Sequence, residues 1–539
     1  MTRANELLLP NDATLIKPEE SLTNHNHQHD SQFLPLNNKV KLNIPTLASS
    51  TNFRLKKVIL QDITAFKPTQ FDDIFQNYID QDITLDKVYM MAGSITERYR
   101  SAGYFLSLAY VPDQNIKDGV VVIKVVEGYI GEVEIDSSEA KKQAIIQKLI
   151  DELVKSKPLK AAVVESFLLR LNDIPGYTFK GILTRINNND SSGAVKLTLM
   201  ASEDKGRGVL TIDNLSSRYL GLYEGSVLFS KSFIPLHQTT VSGLTSIPTN
   251  NLNFIALSHS VALAPNVEFE VVGSIAKSKL GYKLKAYDVE SSSSFLSGGL
   301  SYQLFRQRGN NLSFKLALDG RNSTSKILSN LLTHDQIRAL RFNSNFELAD
   351  SYQGYNTASL TLSRGINGLG SSKKSDSNLS RENANPNFNK VNLSLTRLQS
   401  LPNNLELTLS GNAQVASEQL FAVEEFGYGG PLVGRAFESS EIVGNIGVSG
   451  GVELRYKNLK IHKSIAVAPN IFFDVGKVWK KNGEGLKSGT SFGIGAKVSS
   501  AVGLNLDIGV AIPLMRKAYT PAYTSNNRLK FMVKVSQMF

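Results

Sequence analysis

From Leu504 to Ile512 the chain alternates without a break: Leu504, Leu506, Ile508, Val510 and Ile512 are apolar, and Asn505, Asp507, Gly509 and Ala511 between them are polar or small. Successive strand residues point to opposite faces, so this segment has one oily and one wettable face. The pattern recurs at Leu529, Phe531, Val533 and Val535, at Phe492, Ile494, Ala496 and Val498, at Leu405, Leu407 and Leu409, and at Leu312, Phe314, Leu316 and Leu318. A soluble sandwich also alternates, over strands of about five or six residues. These runs are nearer the roughly ten that a tilted strand needs to cross a bilayer. Strands are expected near 208–214, 222–231, 238–246, 252–261, 267–285, 294–306, 310–320, 334–348, 353–365, 388–399, 404–414, 448–458, 466–476, 490–500, 502–512 and 527–539. The tally is about sixteen, even as single-chain bacterial barrels require, although 267–285 is long enough to hold two strands. With the first strand leaving the periplasm, the even-to-odd turns are short, while 322–333, 366–387 and 415–447 make long outer loops. Residues 206–539 therefore read as an outer-membrane β-barrel. Phe539 is its C-terminal signal, sealing against the first strand, and the inward Lys534 is expected to accept a change of charge.

The period changes upstream. A strand over 53–60, a short helix over 70–79 and a helix capped by Thr84, with Leu85, Val88, Tyr89, Ala92, Ile95 and Tyr99 on its inner stripe, precede Gly103, which ends it. Strands follow over 104–111 and 120–126, giving the order βααββ. The same order repeats over 130–135, helices from Glu139 and from about Leu159, and strands 177–186 and 194–201, so 52–128 and 129–205 are two small α+β modules in tandem. Residues 1–51 are polar, punctuated by Pro, and read as a flexible leader and candidate plug. Its His25, His27, His29 and Asp30 read as a solvated tract before they read as a metal site.

Composition narrows the choice. In 539 residues, 41% apolar, no run approaches about twenty apolar residues, so a membrane protein of this sequence must cross with a closed barrel. The absence of Cys excludes disulfides, thiol catalysis and Cys-bound metals. The net charge of +11 is spread through the alternating strands, which suits lumen and loop charges, or contact with anionic lipid headgroups, and gives no nucleic-acid patch. The opening MTRANELLLPND lacks the apolar core of a secretory signal, which by itself counts against export; a removed signal or a misplaced start codon would explain it. No phosphate-binding G-x-x-x-x-G-K-S/T loop is present, so ATP is not expected as energy source. Gly447-Val448-Ser449-Gly450-Gly451 matches the nucleophile elbow G-x-S-x-G, but a strand follows the Ser and the only later His is His462, which makes a hydrolase a remote alternative.

Specific motifs carry the comparison to a family. Tyr99-x-x-x-Gly103-Tyr104, Pro112-x-Gln114, Gly119 and Glu127-Gly128 resemble the POTRA domain of the haemolysin-activator and filamentous-haemagglutinin transporters, two-partner secretion members of the Omp85 superfamily. Asp213-Asn214 with Ser217-Arg218-Tyr219 is similar to the family's first hairpin. Val433-Gly434-Arg435-Ala436-Phe437 resembles the superfamily's lid-loop motif V-R-G-Y/F, with Gly434 and Ala436 as departures, and Phe472-x-Asp474-x-Gly476 matches F-x-D-x-G on the barrel wall. Alternation turns Phe472, Asp474 and Gly476 to the lumen. A lone acid there needs a partner, and the two-point guanidinium of Arg435 is the natural one. The resemblance implies two POTRA domains and a sixteen-stranded barrel with lid loop 415–447, in the outer membrane of a Gram-negative bacterium with POTRA domains in the periplasm. It implies export of a large, β-rich secreted partner such as a haemolysin, adhesin or toxin, captured at the POTRA domains. Outer-membrane lipids and the barrel assembly machinery are further implied partners, and no cofactor, metal, nucleic acid or ATP is expected. An insertase of the same superfamily is the alternative; a passive porin would leave 52–203 without a purpose.

Overall fold

The computed structural model describes residues 52–186, 193–457, 459–480, 487–515 and 529–539. The leader, with His25, His27, His29 and Asp30, lies outside them. The described chain divides into an α+β unit ending at Glu203 and a barrel unit beginning at Asp204.

In the α+β unit, Val120–Val126 is the centre of a three-stranded sheet, pairing in parallel with Lys57–Gln61 and antiparallel with Leu108–Tyr110. Its alternate residues Val121, Ile123 and Val125 are buried together with Val88, Met91, Ile95 and Tyr99 of helix Leu85–Ser101. Two expected strands are shorter than their apolar content suggested. The one over 53–60 breaks at Leu55, because Asn52–Arg54 pairs instead with Asp82–Thr84 and Leu55 turns into the core. The one over 104–111 keeps only Leu108–Tyr110, because the Tyr104 N–H caps the helix at Tyr99 O (2.9 Å), with Gly103 at φ 91°. The second sheet repeats the topology: Ala194–Glu203 is central, parallel to Tyr129–Ile135 and antiparallel to Tyr177–Arg185, with helices Ala144–Val154 and Ala161–Asn172 in the crossover.

The barrel unit closes sixteen antiparallel strands, from Arg207–Asp213 to Lys530–Met538, among the described residues. The twelfth is written in two pieces, Ile446–Tyr456 and Leu459–His462, both paired with Ile465–Trp479. Along Leu252–Ala264 the outward Ile255 and Leu257 are exposed, while Phe254 and Ala256 between them are buried, as alternation requires. One rim carries short turns such as 265–266, 308–309 and 402–404. Val267–Lys279 is a single strand followed by a 3₁₀ turn at Tyr282–Tyr287, so the even count holds.

The long loop expected over 322–333 is not a loop. Asn310–Ile327 and Asn330–Ala349 run on through it and meet at Leu328 and Ser329, both with positive φ (48° and 65°), a two-residue hairpin turn. Beyond the hydrocarbon the ladder still pairs backbone to backbone, but its side chains no longer need to be apolar, so the alternation fades while the strands continue.

The first and last strands close the seam from Asp213↔Lys534 to Val209↔Met538, and the N–H groups of Gly208 and Phe539 bond each other's carbonyls at 2.9 and 3.0 Å. Past Asp213 the side chain of Asn214 continues the ladder, accepting from Val533 N–H (2.8 Å) and donating to Phe531 O (3.2 Å). Lys534 stands in the ladder between Asp213 and Asp507, so reversing its charge would line up three acids; alternation alone did not reveal these neighbours.

Candidate functional site: a latched loop in the barrel lumen

Ile465–Trp479 sets the site by alternation: Ile471, Phe473 and Val475 are exposed on the outer wall, and Phe472 and Asp474 are buried inside. Asp474 has 0% exposure, and a carboxylate so placed must be paired and hydrogen-bonded. Loop 417–445 supplies the partners. Arg435 donates to Asp474 through Nε (3.1 Å) and a terminal nitrogen (2.9 Å), a two-point fork, while its other terminal nitrogen reaches Glu453 Oε2 at 2.5 Å. The N–H groups of Gly434 (3.1 Å) and Arg435 (3.0 Å) and the Ser491 hydroxyl (3.1 Å) complete the donors to Asp474. The guanidinium carbon lies 3.5 Å from the centre of the Phe472 ring, a cation–π contact.

The motif residues divide the work. Phe472 is the platform and Asp474 the acceptor. Gly476 leaves room: a Cβ there would stand 2.1 Å from the Tyr428 ring. Gly493 does the same for Phe472, at 2.3 Å. Gly434 takes φ 83°, so the residue needing glycine's freedom precedes the Arg. Ala436 is outside the left-handed region and buried, and strains nothing. Phe437 is fully buried beside Tyr428 (ring centres 5.6 Å apart), its carbonyl accepting from Lys530 Nζ at 2.7 Å, and Val433 packs on the same cluster.

Sequence reasoning missed Glu453, Tyr428 and Ser491. Glu453 was detectable as a charge on the inward face of the alternating Val452, Glu453, Leu454, Arg455. Also missed was a second anchor at the loop's base. Glu424 is buried between Arg341 (2.6 Å) and Lys390, and Arg341 also holds Asp319 at 2.6 Å. Phe421 and Leu420 bury beside Ile337, Ala339 and Phe388. Gln414 Nε2 bonds the carbonyls of both Glu424 (3.0 Å) and Asn445 (3.2 Å). Beyond the tip, Glu438 accepts from the Ser217 hydroxyl at 2.8 Å, tying the loop to the first hairpin.

Ser449 lies in the interior of strand Ile446–Tyr456 with Gly447 and Gly451, so the strand–turn–helix of a nucleophile elbow is not formed there.

The POTRA-type signature builds scaffold. Glu127 accepts from the N–H groups of Thr64 (2.9 Å) and Ala65 (2.8 Å), the Thr64 hydroxyl and the Tyr99 hydroxyl (2.7 Å). Burial pushes its carboxyl up, but these bonds outweigh burial and hold it below the usual carboxylate range. Gln114 imitates a strand residue, exchanging bonds of 2.7 and 2.8 Å with Val122, and its Nε2 also reaches Pro112 O at 3.4 Å. Tyr104 packs edge-on against Tyr99. A Cβ at Gly119 would meet Arg54 O at 2.2 Å, and one at Gly128 the Leu106 Cβ at 2.3 Å. The carbonyls of Gly103 and Gly128 accept from Ala161 and Leu159, both at 2.9 Å, joining the first module to the second.

A closed sixteen-stranded barrel with an Arg-tipped loop latched in its lumen, preceded by POTRA-type α+β structure, defines an outer-membrane transporter of the Omp85 kind. Residues 53–128 match the family model "POTRA domain, ShlB-type", and 266–500 match "Haemolysin secretion/activation protein ShlB/FhaC/HecB". Among relatives, the heme/hemopexin transporter protein HuxB of Haemophilus influenzae is 22% identical over 458 residues, covering 82% of this chain and 80% of that protein. The outer membrane transporter CdiB of Escherichia coli is 21% identical over 521 residues, 92% of this chain and 85% of that one. The solved structure of CdiB from Escherichia coli aligns with TM-score 0.69 at 19% identity, covering 93% of each chain. BamA from Haemophilus ducreyi lacking POTRA domains 1–3 shares the fold at TM-score 0.55 and 14% identity, covering 91% of this chain and 100% of that one. The chain is thus an outer-membrane transporter of two-partner secretion with periplasmic POTRA structure, and it exports a secreted partner protein.

Proposed function

We propose that the chain rests with its lumen occupied by loop 417–445 and exports a large, β-rich partner, of haemolysin, adhesin or toxin type, when the tip of that loop is released. The observation that carries this is the Arg435 fork on the fully buried Asp474, backed by Glu453. A buried ion pair contributes little net stability but costs much to break singly, so it suits a position that must be either fully seated or fully released. We infer that residues 129–205 form a second POTRA domain, from the repeated sheet topology. The open edge Tyr177–Arg185, with Ile182 exposed, offers the partner's unfolded N-terminal region a strand to pair with. Threading extended through a polar lumen and folding outside would then drive export without nucleotide. In cells carrying the partner, deleting 52–205 should abolish its export while the purified barrel still conducts ions in planar bilayers. Continued export by the deleted protein would rule out capture at the POTRA-type structure.

A further inference from the structure

The outer wall of the barrel carries a polar groove that export does not use. The outward face of neighbouring strands is marked by exposed apolar residues: Ile255, Leu257, Ile275, Leu296, Leu316 and Leu318. On that same face, nearer the rim with the long connections, the strands turn polar. Register sets Asn253 beside Lys277, Lys277 beside Ser292 and Ser292 beside Thr324. One step further out Lys279 lies beside Glu290, and Glu290 beside Lys326. With Asn250 and Asn251 from the connection above, these residues line a groove of about 350 Å³.

The charges in the groove are unequal. Lys279 is held by Asp288 (2.5 Å) and Glu290 (2.9 Å). Lys277 and Lys326 have no ion-pair partner among the described residues. Lys277 and Lys326 stand two strand spacings apart and two residues offset along the strands, roughly 12 Å between their Cα atoms, so the two unpaired ammonium groups at the ends of their long side chains can hold one phosphate jointly or two separately. Amide and hydroxyl groups of Asn253, Ser292 and Thr324 surround them, the chemistry that meets sugar hydroxyls. Directly below Asn253 and Lys277 stand Ile255 and Ile275, and one step further in, past Ser294 and Asn322, Leu257 and Leu296 continue the apolar wall.

Phosphate and sugar above, acyl chain below: we propose that this groove binds a phosphorylated glycolipid of the membrane's outer leaflet, the phosphates on Lys277 and Lys326 and the acyl chains along the belt. A phospholipid without sugar would leave the amide row unused, and free phosphate would leave the apolar wall unused.

The test is native mass spectrometry of the full chain in detergent, with diphosphorylated lipid A, its dephosphorylated form, phosphatidylglycerol and inorganic phosphate as separate probes. Diphosphorylated lipid A should be retained most strongly. The double variant Lys277→Gln with Lys326→Gln should retain it roughly tenfold or more less, whereas Lys463→Gln, in a turn on the other rim, should retain it like the parent. The dephosphorylated probe on the unaltered protein gives the same answer without any variant, and should bind as weakly as lipid A does to the double variant. Equal retention of phosphorylated and dephosphorylated lipid A, of lipid A and phosphatidylglycerol, or of lipid A by parent and double variant would overturn the proposal. So would inorganic phosphate competing lipid A off at equal concentration.

Discussion

Replacing Arg435 with Ala withdraws a cation from two acids at once. Asp474 would keep the backbone N–H groups of residues 434 and 435 and the Ser491 hydroxyl, and Glu453 would keep Arg455, at 2.5 Å. Breaking a buried pair on one side costs about 3–5 kcal/mol. The remaining donors, and the partial exposure of Arg435 (12%) and Glu453 (13%), put this case at the lower end. A loss of about 3 kcal/mol lowers the seated-to-released equilibrium constant of the loop tip by about two orders of magnitude, since each ~1.4 kcal/mol is tenfold. The Arg435→Ala barrel should still migrate as a heat-modifiable band, show larger and noisier conductance in planar bilayers, and export its partner poorly, because a two-position switch needs the seated state to start from and return to as well as the released one. Asp474→Asn should do the same, and the double variant should be little worse than either single, because both remove one interaction. Arg435→Lys should fall between, since an ammonium cannot serve Asp474 in a fork and reach Glu453 as well. Unchanged conductance and export in both Arg435→Ala and Asp474→Ala, or strictly additive losses in the cycle, would refute the latch.

Gly476→Ala should release the loop tip with the ion pair chemically intact, because its methyl would meet the Tyr428 ring; conductance like that of Arg435→Ala is the expected result. Glu127 is held below its ordinary pKa, so its contribution is full above about pH 4.5 and is lost as pH falls through the lower folded value; the protection of the Thr64 and Ala65 amides, taken relative to the intrinsic exchange rate at each pH, should fall on acidification, and in Glu127→Gln it should be low and insensitive to that change. Val533, outward with Phe531 and Val535, should not accept Arg, at a cost of about 2–4 kcal/mol near the midplane, whereas Ser536→Arg on the opposite face should leave the folded gel band intact.

The barrel was legible because a wall with lipid on one side imposes period two on every strand that crosses it. Where that constraint ends the reading failed: the Asn322–Lys326 stretch is polar, yet it is strand. The pairing of Arg435 with Asp474 was legible from valence together with the family resemblance, since a buried acid needs a cation and the motif resembling the lid loop supplies one. The inward charge of Glu453 was visible in the alternation but its use by the loop was not, and Glu424 was not legible at all, because Arg341 and Lys390 come from strands far off in sequence and no local period points to it. The POTRA-type signature shows the reverse case. Its residues were easy to see, but what they do, Gln114 filling a gap in a ladder and Glu127 gathering four donors, is set by the packed domain.

Gln414 has a mechanical consequence. By bonding the carbonyls of residues 424 and 445 with one amide nitrogen, it holds both feet of the loop within the reach of a single side chain. The segment between them is then a flap on one hinge line, and at about 3.5 Å per residue its tip could stand at most roughly 35 Å from that line. This is comparable to the ~30 Å hydrocarbon thickness of a bilayer. A tip freed from Asp474 could therefore swing past the outer rim with its feet still fixed, and the opening it left would be set by the length of the flap, with no strand of the wall displaced.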